Sequence, residues 1–206
     1  MNPYFIGVAG PSCAGKSFLA EHLAARLDAA LFHLDCYYRE LDHLSPVQRA
    51  QHNFDSPEAL DSELLLDQAQ QLYRGQTIQR PVYDFTTHTR TGETLPLAPR
   101  EFIIVEGLFA LYWETLRKME GTKVFVDLGE EVCLKRRIER DIRERGRSRE
   151  CVLEQYRTTV VPMARQFVYP TRDFADLIVT GNDDIAREVD AVLEHVRHGV
   201  TQSQGK

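Results

Sequence analysis

The segment Gly10-Pro11-Ser12-Cys13-Ala14-Gly15-Lys16-Ser17 constrains this chain more than any other. It fits G-x-x-x-x-G-K-[ST], a loop whose backbone N–H groups converge on phosphate oxygens. The pattern carries weight only between a strand and a helix, and both flanks comply. Tyr4-Phe5-Ile6-Gly7-Val8-Ala9 is an apolar run of strand length, and Phe18 to Leu27 has apolar residues at helical spacing. Glycines permit the tight turn, and the helix N-terminus adds partial positive charge. Lys16 is then placed to reach β- and γ-phosphates, and the Ser17 hydroxyl to ligate Mg2+. Gly10 through Ser17 are the candidate contacts for a nucleoside triphosphate. A chance match in a glycine-bearing loop is the competing account, and the flanks weigh against it.

Five apolar runs read as strands of one parallel sheet: Tyr4–Ala9, Leu31–Leu34, Phe102–Val105, Lys123–Leu128 and Asp176–Val179. Helical patterns lie between them, at Lys16–Asp28, Pro57–Arg74, Glu130–Arg145, Ser148 to about Tyr169, and Asp183–His198. Ser56-Pro57 supplies a cap and a first-turn proline, and Gly75 a stop. The alternation predicts a three-layer α/β fold with a five-stranded parallel sheet, in one domain over residues 1–206. Residues 76–100 break the rhythm. Their alternation, the Thr91-Gly92 pair and prolines 81, 96 and 99 predict a β-hairpin insertion of the kind that serves binding. The polar tail Gly199–Lys206 is expected to fray.

Composition excludes more than it selects. The 43% hydrophobic and 27% charged content is ordinary for a globular chain, and the net charge of -6 argues against generic nucleic-acid binding. Cys13, Cys36, Cys133 and Cys151 lie far apart without C-x-x-C spacing, as reduced thiols do. The first strand begins within a few residues of Met1, and no apolar run is long enough to cross a bilayer. The expectation is a soluble cytoplasmic protein without a membrane partner.

Phosphoryl transfer needs the phosphates held, a metal bridging them, an oriented acceptor and cations over the developing charge. Asp35 follows the second strand. Carboxyl ends of strands in open α/β sheets face the ligand cleft, so Asp35 is the candidate base, against a solvated or capping Asp. Glu106 ends the run Phe102-Ile103-Ile104-Val105 and is the candidate second metal anchor beside Ser17, against an incidental acid at a strand end. Residues 135–149 hold eight basic side chains against three acidic ones. That excess reads as a lid closing over the triphosphate, with Gly146 as its hinge. A solvated helix with pairs Glu139–Arg143 and Arg137–Asp141, or an RNA-binding segment, are the rival accounts, and such pairing employs three arginines at most. Phe54, Tyr83, Phe85 and His88 can stack on a base and Asp55 can hold ribose hydroxyls, although on the residues alone core packing accounts for the aromatics better.

Longer segments narrow the choice: Asp35-Cys36-Tyr37-Tyr38, Asn53-Phe54-Asp55-Ser56-Pro57-Glu58-Ala59, Pro81-Val82-Tyr83-Asp84-Phe85-Thr86-Thr87-His88-Thr89-Arg90, Val105-Glu106-Gly107 and Arg140-Asp141-Ile142-Arg143-Glu144-Arg145-Gly146-Arg147. With Gln155-Tyr156 and Phe174 to Val179 they resemble the uridine–cytidine kinases, relatives of phosphoribulokinase and pantothenate kinase, from about Phe5 to Val179. The resemblance implies transfer of the γ-phosphoryl of ATP·Mg2+ to a pyrimidine ribonucleoside, with Asp35 facing the 5′-hydroxyl and Lys16 at the phosphates. It implies that Asp55 and Arg137 contact the ribose, and that Tyr38, Phe54, Tyr83, Phe85, His88, Arg147 and Gln155 surround the nucleoside. Arg140 and Arg145 become lid contacts to phosphate, and a homo-oligomer is expected. The chain departs from the family pattern at Pro11, at Cys36, before Pro162, and at Thr180-Gly181-Asn182-Asp183 near the donor base. A kinase for another small alcohol, or a non-catalytic nucleotide- or RNA-binding protein, are the alternatives.

Overall fold

A computed structural model describes residues 2–181 and 184–204. Alternate residues of its central strands enter two separate apolar layers. Phe5, Phe32, Ile103, Val105 and Phe125 face one side, and Ile6, Val8, Ile104, Val124 and Val126 face the other. A sheet buried on both faces needs such continuous apolar runs, because successive side chains point opposite ways. Each aromatic or branched side chain so buried contributes roughly 1.5–3 kcal/mol.

The strands and helices follow in chain order. Strand β1 (Tyr4–Ala9) leads through the loop into α1 (Lys16–Leu27), then β2 (Ala30–His33). Short α2 (Pro46–Ala50) and longer α3 (Ser62–Tyr73) precede the antiparallel hairpin β3 (Ile78–Asp84) and β4 (Thr89–Leu97). Strand β5 (Phe102–Glu106), α4 (Glu114–Arg117), β6 (Glu120–Val126) and α5 (Glu130–Arg145) come next. Helix α6 (Arg149–Gln155) passes through π turns around α7 (Val161–Met163), and β7 (Leu177–Val179) and α8 (Ile185–Gln204) close the chain. The sheet order is β2-β5-β1-β6-β7, all parallel. Successive crossovers depart to opposite sides of β1, so its carboxyl end is the switch point at which α/β sheets bind ligands. The phosphate loop sits there.

The five strands, the three layers and the hairpin agree with expectation, and several local expectations do not. The helix expected from Pro57 is two pieces. A 3-10 turn over Pro57–Ala59 is followed by extended Leu60, which bridges to Tyr38, and Asp61 then caps α3 by accepting from Leu64 N at 3.3 Å. The hairpin turns at residues 85–88, not at Thr91-Gly92. There the Asp84 carboxylate accepts from Thr86 N and Thr87 Oγ1, each at 2.8 Å, and His88 takes a left-handed φ of 56°. Strand β6 begins at Glu120 rather than Lys123 and stops at Val126. Short α2 and α4 were not anticipated. Helix α8 continues through Gln204 instead of fraying from Gly199. Asn182, the expected helix start Asp183, and the terminal residues 205 and 206 lie outside the described residues. Among the described residues, no helix is long and apolar enough to cross a membrane.

Candidate active site

The loop after β1 takes its shape from three positive-φ residues: Gly10 at 147°, Cys13 at 64° and Gly15 at 110°. A side chain at Gly10 would strike the Val126 carbonyl, so only glycine serves there. Helix α1 starts at Lys16 without a side-chain cap or an acid in its first turn, leaving its first N–H groups for an anion. Lys16 is buried and its Nζ donates to Pro11 O at 2.9 Å, which lays the ammonium back along the loop.

Two strand ends supply the acids. Glu106 is the last residue of β5 and is 5% exposed. Its Oε1 accepts from Ser17 Oγ at 3.1 Å and its Oε2 lies 3.0 Å from His33 Nδ1. Burial alone would raise its pKa, but the His33 bond, the Lys16 charge and the Ser17 bond outweigh it, and the carboxyl titrates below its ordinary range. His33 is held above its ordinary value chiefly by the bond to Glu106, against burial. Asp35 sits in the 3-10 turn Leu34–Tyr37 that follows β2. Burial and then the neighbouring Glu106 charge raise its pKa, against the pull of Lys16, Arg145 and Arg140.

Beyond Asp35 the wall is aromatic. Tyr38 lies 5.3 Å from both Phe54 and Tyr83 between ring centroids, and Phe54 stacks on His88 at 5.0 Å with 19° between planes. Phe85 packs against Tyr83 with centroids 5.1 Å apart, and the Arg145 guanidinium lies over the Phe85 ring, 5.1 Å from its centroid. The Tyr83 hydroxyl is buried without a hydrogen-bond partner among the described residues. The hairpin reaches this position because Arg90 of β4 donates to the carbonyls of Tyr38 and Tyr37, at 2.9 and 3.2 Å, and pairs with Asp61 at 3.3 Å. His88 titrates below its ordinary range, through burial and then the charges of Arg147 and Arg145. Its Nε2 lies 3.5 Å from Arg147 Nη2, so the neutral ring accepts there and carries its proton on Nδ1.

The Arg-rich segment is organised by one anion. Asp141 is fully buried and lies within ion-pair distance of Arg140 at 2.7 Å, Arg147 at 3.2 Å, Arg137 at 3.6 Å and Arg145 at 3.7 Å. This corrects the count from helical spacing, which allowed pairing for three arginines at most; a buried carboxylate serves four. Arg143 pairs with Glu144 at 2.5 Å, not with Glu139. Gly146, expected as a hinge, is the left-handed cap of α5 at φ 63°, its N–H bonded to Asp141 O. Arg137 joins the two sides of the site: it donates to Ser12 Oγ at 2.9 Å and Gln155 Oε1 at 3.1 Å, and lies 3.8 Å from Asp55. Gln155 also accepts from Arg147 at 2.6 Å.

Most of these side chains line one cleft of about 480 Å³, with His33, Arg90 and Asp141 supporting it from outside the lining. Ser12, Cys13, Gly15, Lys16 and Ser17 form one end, Tyr38, Phe54, Tyr83, Phe85 and His88 the other, with Asp35, Asp55, Glu106 and Arg137, 140, 145 and 147 between. Gly10, Pro11 and Ala14 are buried and contribute backbone rather than lining. Sequence reasoning missed His33 and Glu188, and counted Arg136 only within the Arg-rich segment read as a lid. His33 pairs in register with Glu106 across β2 and β5, a neighbourhood that strand order would have given. Arg136 donates to Gly181 O at 3.0 Å and Ala14 O at 3.4 Å, tying the phosphate loop to the segment after β7. Glu188 of α8 lines the same end and accepts from Thr180 Oγ1 at 3.3 Å.

Ser17 and Glu106 offer a hydroxyl and an ionised carboxylate side by side, the oxygen donors that Mg2+ favours. Among the described residues no cluster of three or more His, Cys, Asp or Glu could cage a metal alone. The cation would therefore share its shell with phosphate and water, as nucleotide-bound Mg2+ does.

A phosphate loop at the switch point, a strand-end acid beside it and a cleft leading to a second carboxylate define a P-loop phosphotransferase. The chain matches the Phosphoribulokinase / Uridine kinase family over residues 5–186. It belongs to that family. It is 40% identical over 200 residues to a uridine kinase of Aeromonas hydrophila subsp. hydrophila, covering 94% of each chain. Against a uridine kinase of Brevibacillus brevis the identity is 43% over 181 residues, 86% of this chain and 85% of the other. Phosphoribulokinase from Rhodobacter spheroides matches with a TM-score of 0.60 and 15% identity, over 88% of this chain and 73% of that one, a likeness of fold alone.

Proposed function

We propose that the protein moves the γ-phosphoryl group of ATP, as its Mg2+ complex, onto the 5′-hydroxyl of uridine or cytidine to give UMP or CMP. One observation carries this reading: Asp35 shares a cleft with Lys16 on one side and an aromatic chamber on the other. The chamber suits a flat base, with Tyr38, Phe54, Tyr83, Phe85 and His88 on its walls and Arg147 and Gln155 at its polar edge. Asp55 and Arg137 are buried polar groups suited to ribose hydroxyls. A pentose phosphate acceptor would call for cations where these rings stand.

Asp35 takes the proton of the 5′-hydroxyl as that oxygen bonds to the γ-phosphorus, and the bond to the β,γ-bridging oxygen breaks. Its raised pKa suits a base of this kind. Lys16, Arg140 and Arg145 meet the charge on the phosphate oxygens, and Arg140 and Arg145 must loosen from Asp141 to do so. Mg2+ held by Ser17 and Glu106 would supply further charge neutralisation at the phosphates. Closure of the Arg-bearing segment as a lid over the bound pair would keep water from competing as acceptor. The same family reading extends to a cytoplasmic homo-oligomer with small-molecule partners and neither nucleic acid nor membrane.

A coupled ADP assay over a panel of nucleosides, sugars and sugar phosphates tests the proposal. Turnover that depends on added uridine or cytidine is the expected result. Turnover with another alcohol only would reassign the acceptor. No acceptor-dependent turnover, with salt-sensitive RNA binding, would favour the non-catalytic alternative.

A further inference from the structure

We infer that His33 is a positioning residue for the metal anchor, its ring N–H fixing the Glu106 carboxylate so that one oxygen is presented to Ser17 and the cation. The inference rests on the kinase reading only for the identity of that cation. His33 and Glu106 are the last residues of β2 and β5 and stand opposite one another in register. That pairing is made by backbone and would hold with any side chain at His33. The imidazole is therefore not required by the sheet, yet its Nδ1 lies 3.0 Å from Glu106 Oε2.

A buried carboxylate with one bond can still swing about its last torsion. Glu106 has two bonds, one on each oxygen: His33 of β2 on Oε2 and Ser17 of α1 on Oε1 at 3.1 Å. Together they set the carboxylate plane. Ser17 donates its only proton to Oε1, so its oxygen lone pairs are left for the cation. When Ser17 and Glu106 engage a metal, the His33 bond is the one that remains to hold the anchor. A carboxylate that holds a cation is ionised and can only accept, so the proton of this bond belongs to Nδ1. Partners that orient a ligating group in this way typically matter by about 10–100-fold in metal affinity.

The test uses the full chain with ADP and Mn2+ as a spectroscopic stand-in for Mg2+, and no acceptor. His33→Ala is expected to weaken Mn2+ binding to the protein–ADP complex about tenfold, with metal-free ADP affinity unchanged. His33→Asn places an amide N–H near the Nδ1 position and should restore binding to within roughly threefold of wild type. Wild-type Mn2+ affinity in His33→Ala would overturn the inference. So would an Asn variant as weak as the Ala variant while both melt like wild type. If His33→Ala melts lower, the Asn variant decides: recovery of stability without metal affinity overturns the inference, and recovery of both supports it. Full Mn2+ affinity in Glu106→Gln would remove the anchor itself, independently of the nucleoside assay.

Discussion

The two ends of the cleft are built in opposite ways. The end proposed for the donor is eight consecutive residues, Gly10–Ser17, running from the loop after β1 into the first turn of α1, and its chemistry lies mostly in backbone N–H groups shaped by Gly10, Cys13 and Gly15. The acceptor end draws single side chains from four separate places: the turn after β2, the loop before α3, the β3–β4 hairpin and the α5–α6 junction. Phosphate is the same in every donor, so a fixed local cradle suffices. A nucleoside must be distinguished by side chains that face one another, which only tertiary structure can arrange. The donor end should therefore tolerate little local change and the acceptor end should be tunable one residue at a time.

The largest effect is expected where the two ends meet. Asp35→Asn keeps shape and removes the base, and should lower kcat by roughly 10³-fold, within the usual range for a general base. ATP affinity, read by calorimetry, should stay within a few fold. In the wild type the raised pKa of Asp35 predicts that kcat falls as pH drops through that value, because the proton acceptor is then occupied. The Asn variant should lose this acid limb. Retained turnover in Asp35→Asn would sever the link between the two ends.

A smaller effect is expected within the acceptor end. His88→Ala removes a ring stacked on Phe54 and the partner of Arg147. Such stacks are worth about 0.5–1.5 kcal/mol, so the nucleoside KM should rise roughly 2–13-fold with ATP affinity unchanged. Equal loss for both substrates would mean that the ends are not separable.

What was legible in the sequence follows the same division. The loop, Lys16, Ser17 and the terminal acid of β5 could be read from contiguous residues, because strand, turn and helix announce themselves locally. Asp55, Phe54 and the hairpin aromatics were legible only through family resemblance, since core packing explains such residues as well until Arg90 is seen to clamp the hairpin against Tyr37 and Tyr38. The start of α3 was misjudged because Ser56-Pro57 is a sound local signal. A non-local bridge between Tyr38 and Leu60 overrides it. Four arginines converging on Asp141 were invisible to helical spacing, which finds i,i+4 neighbours but not Arg147 returning beyond the Gly146 cap. His33 was missed for a related reason. Its partner is 73 residues away and adjacent only once strand order is known.

The smallest predicted effect on catalysis tests whether the donor framework is insulated from its own foundation. Glu120 opens β6 beside Phe5 of β1, at the end of that strand remote from the phosphate loop. It is 5% exposed, and neither carboxylate oxygen has a hydrogen-bond partner among the described residues. The group fits there because Gly7 has no side chain; a Cβ on Gly7 would collide with it. Burial holds its pKa well above the ordinary carboxyl range, and the weaker opposing pull of Lys123 and Arg117 does not cancel this. In the unfolded chain Glu120 loses its proton near its ordinary value of 4.5, while the folded protein keeps it. Above that pH the unfolded state binds fewer protons, so stability falls as pH rises until the folded pKa is passed. Glu120→Gln cannot titrate, and should flatten the decline of Tm with pH between pH 5 and 9, roughly the span in which a buried carboxyl titrates. The uridine KM and kcat should stay within about twofold of wild type, because the sheet beneath β1 holds the loop in place without taking part in its chemistry. A change in kcat without a change in the Tm–pH slope would show instead that strain at Glu120 travels along β1 to the phosphate loop, and the donor end would then be no more self-contained than the acceptor end.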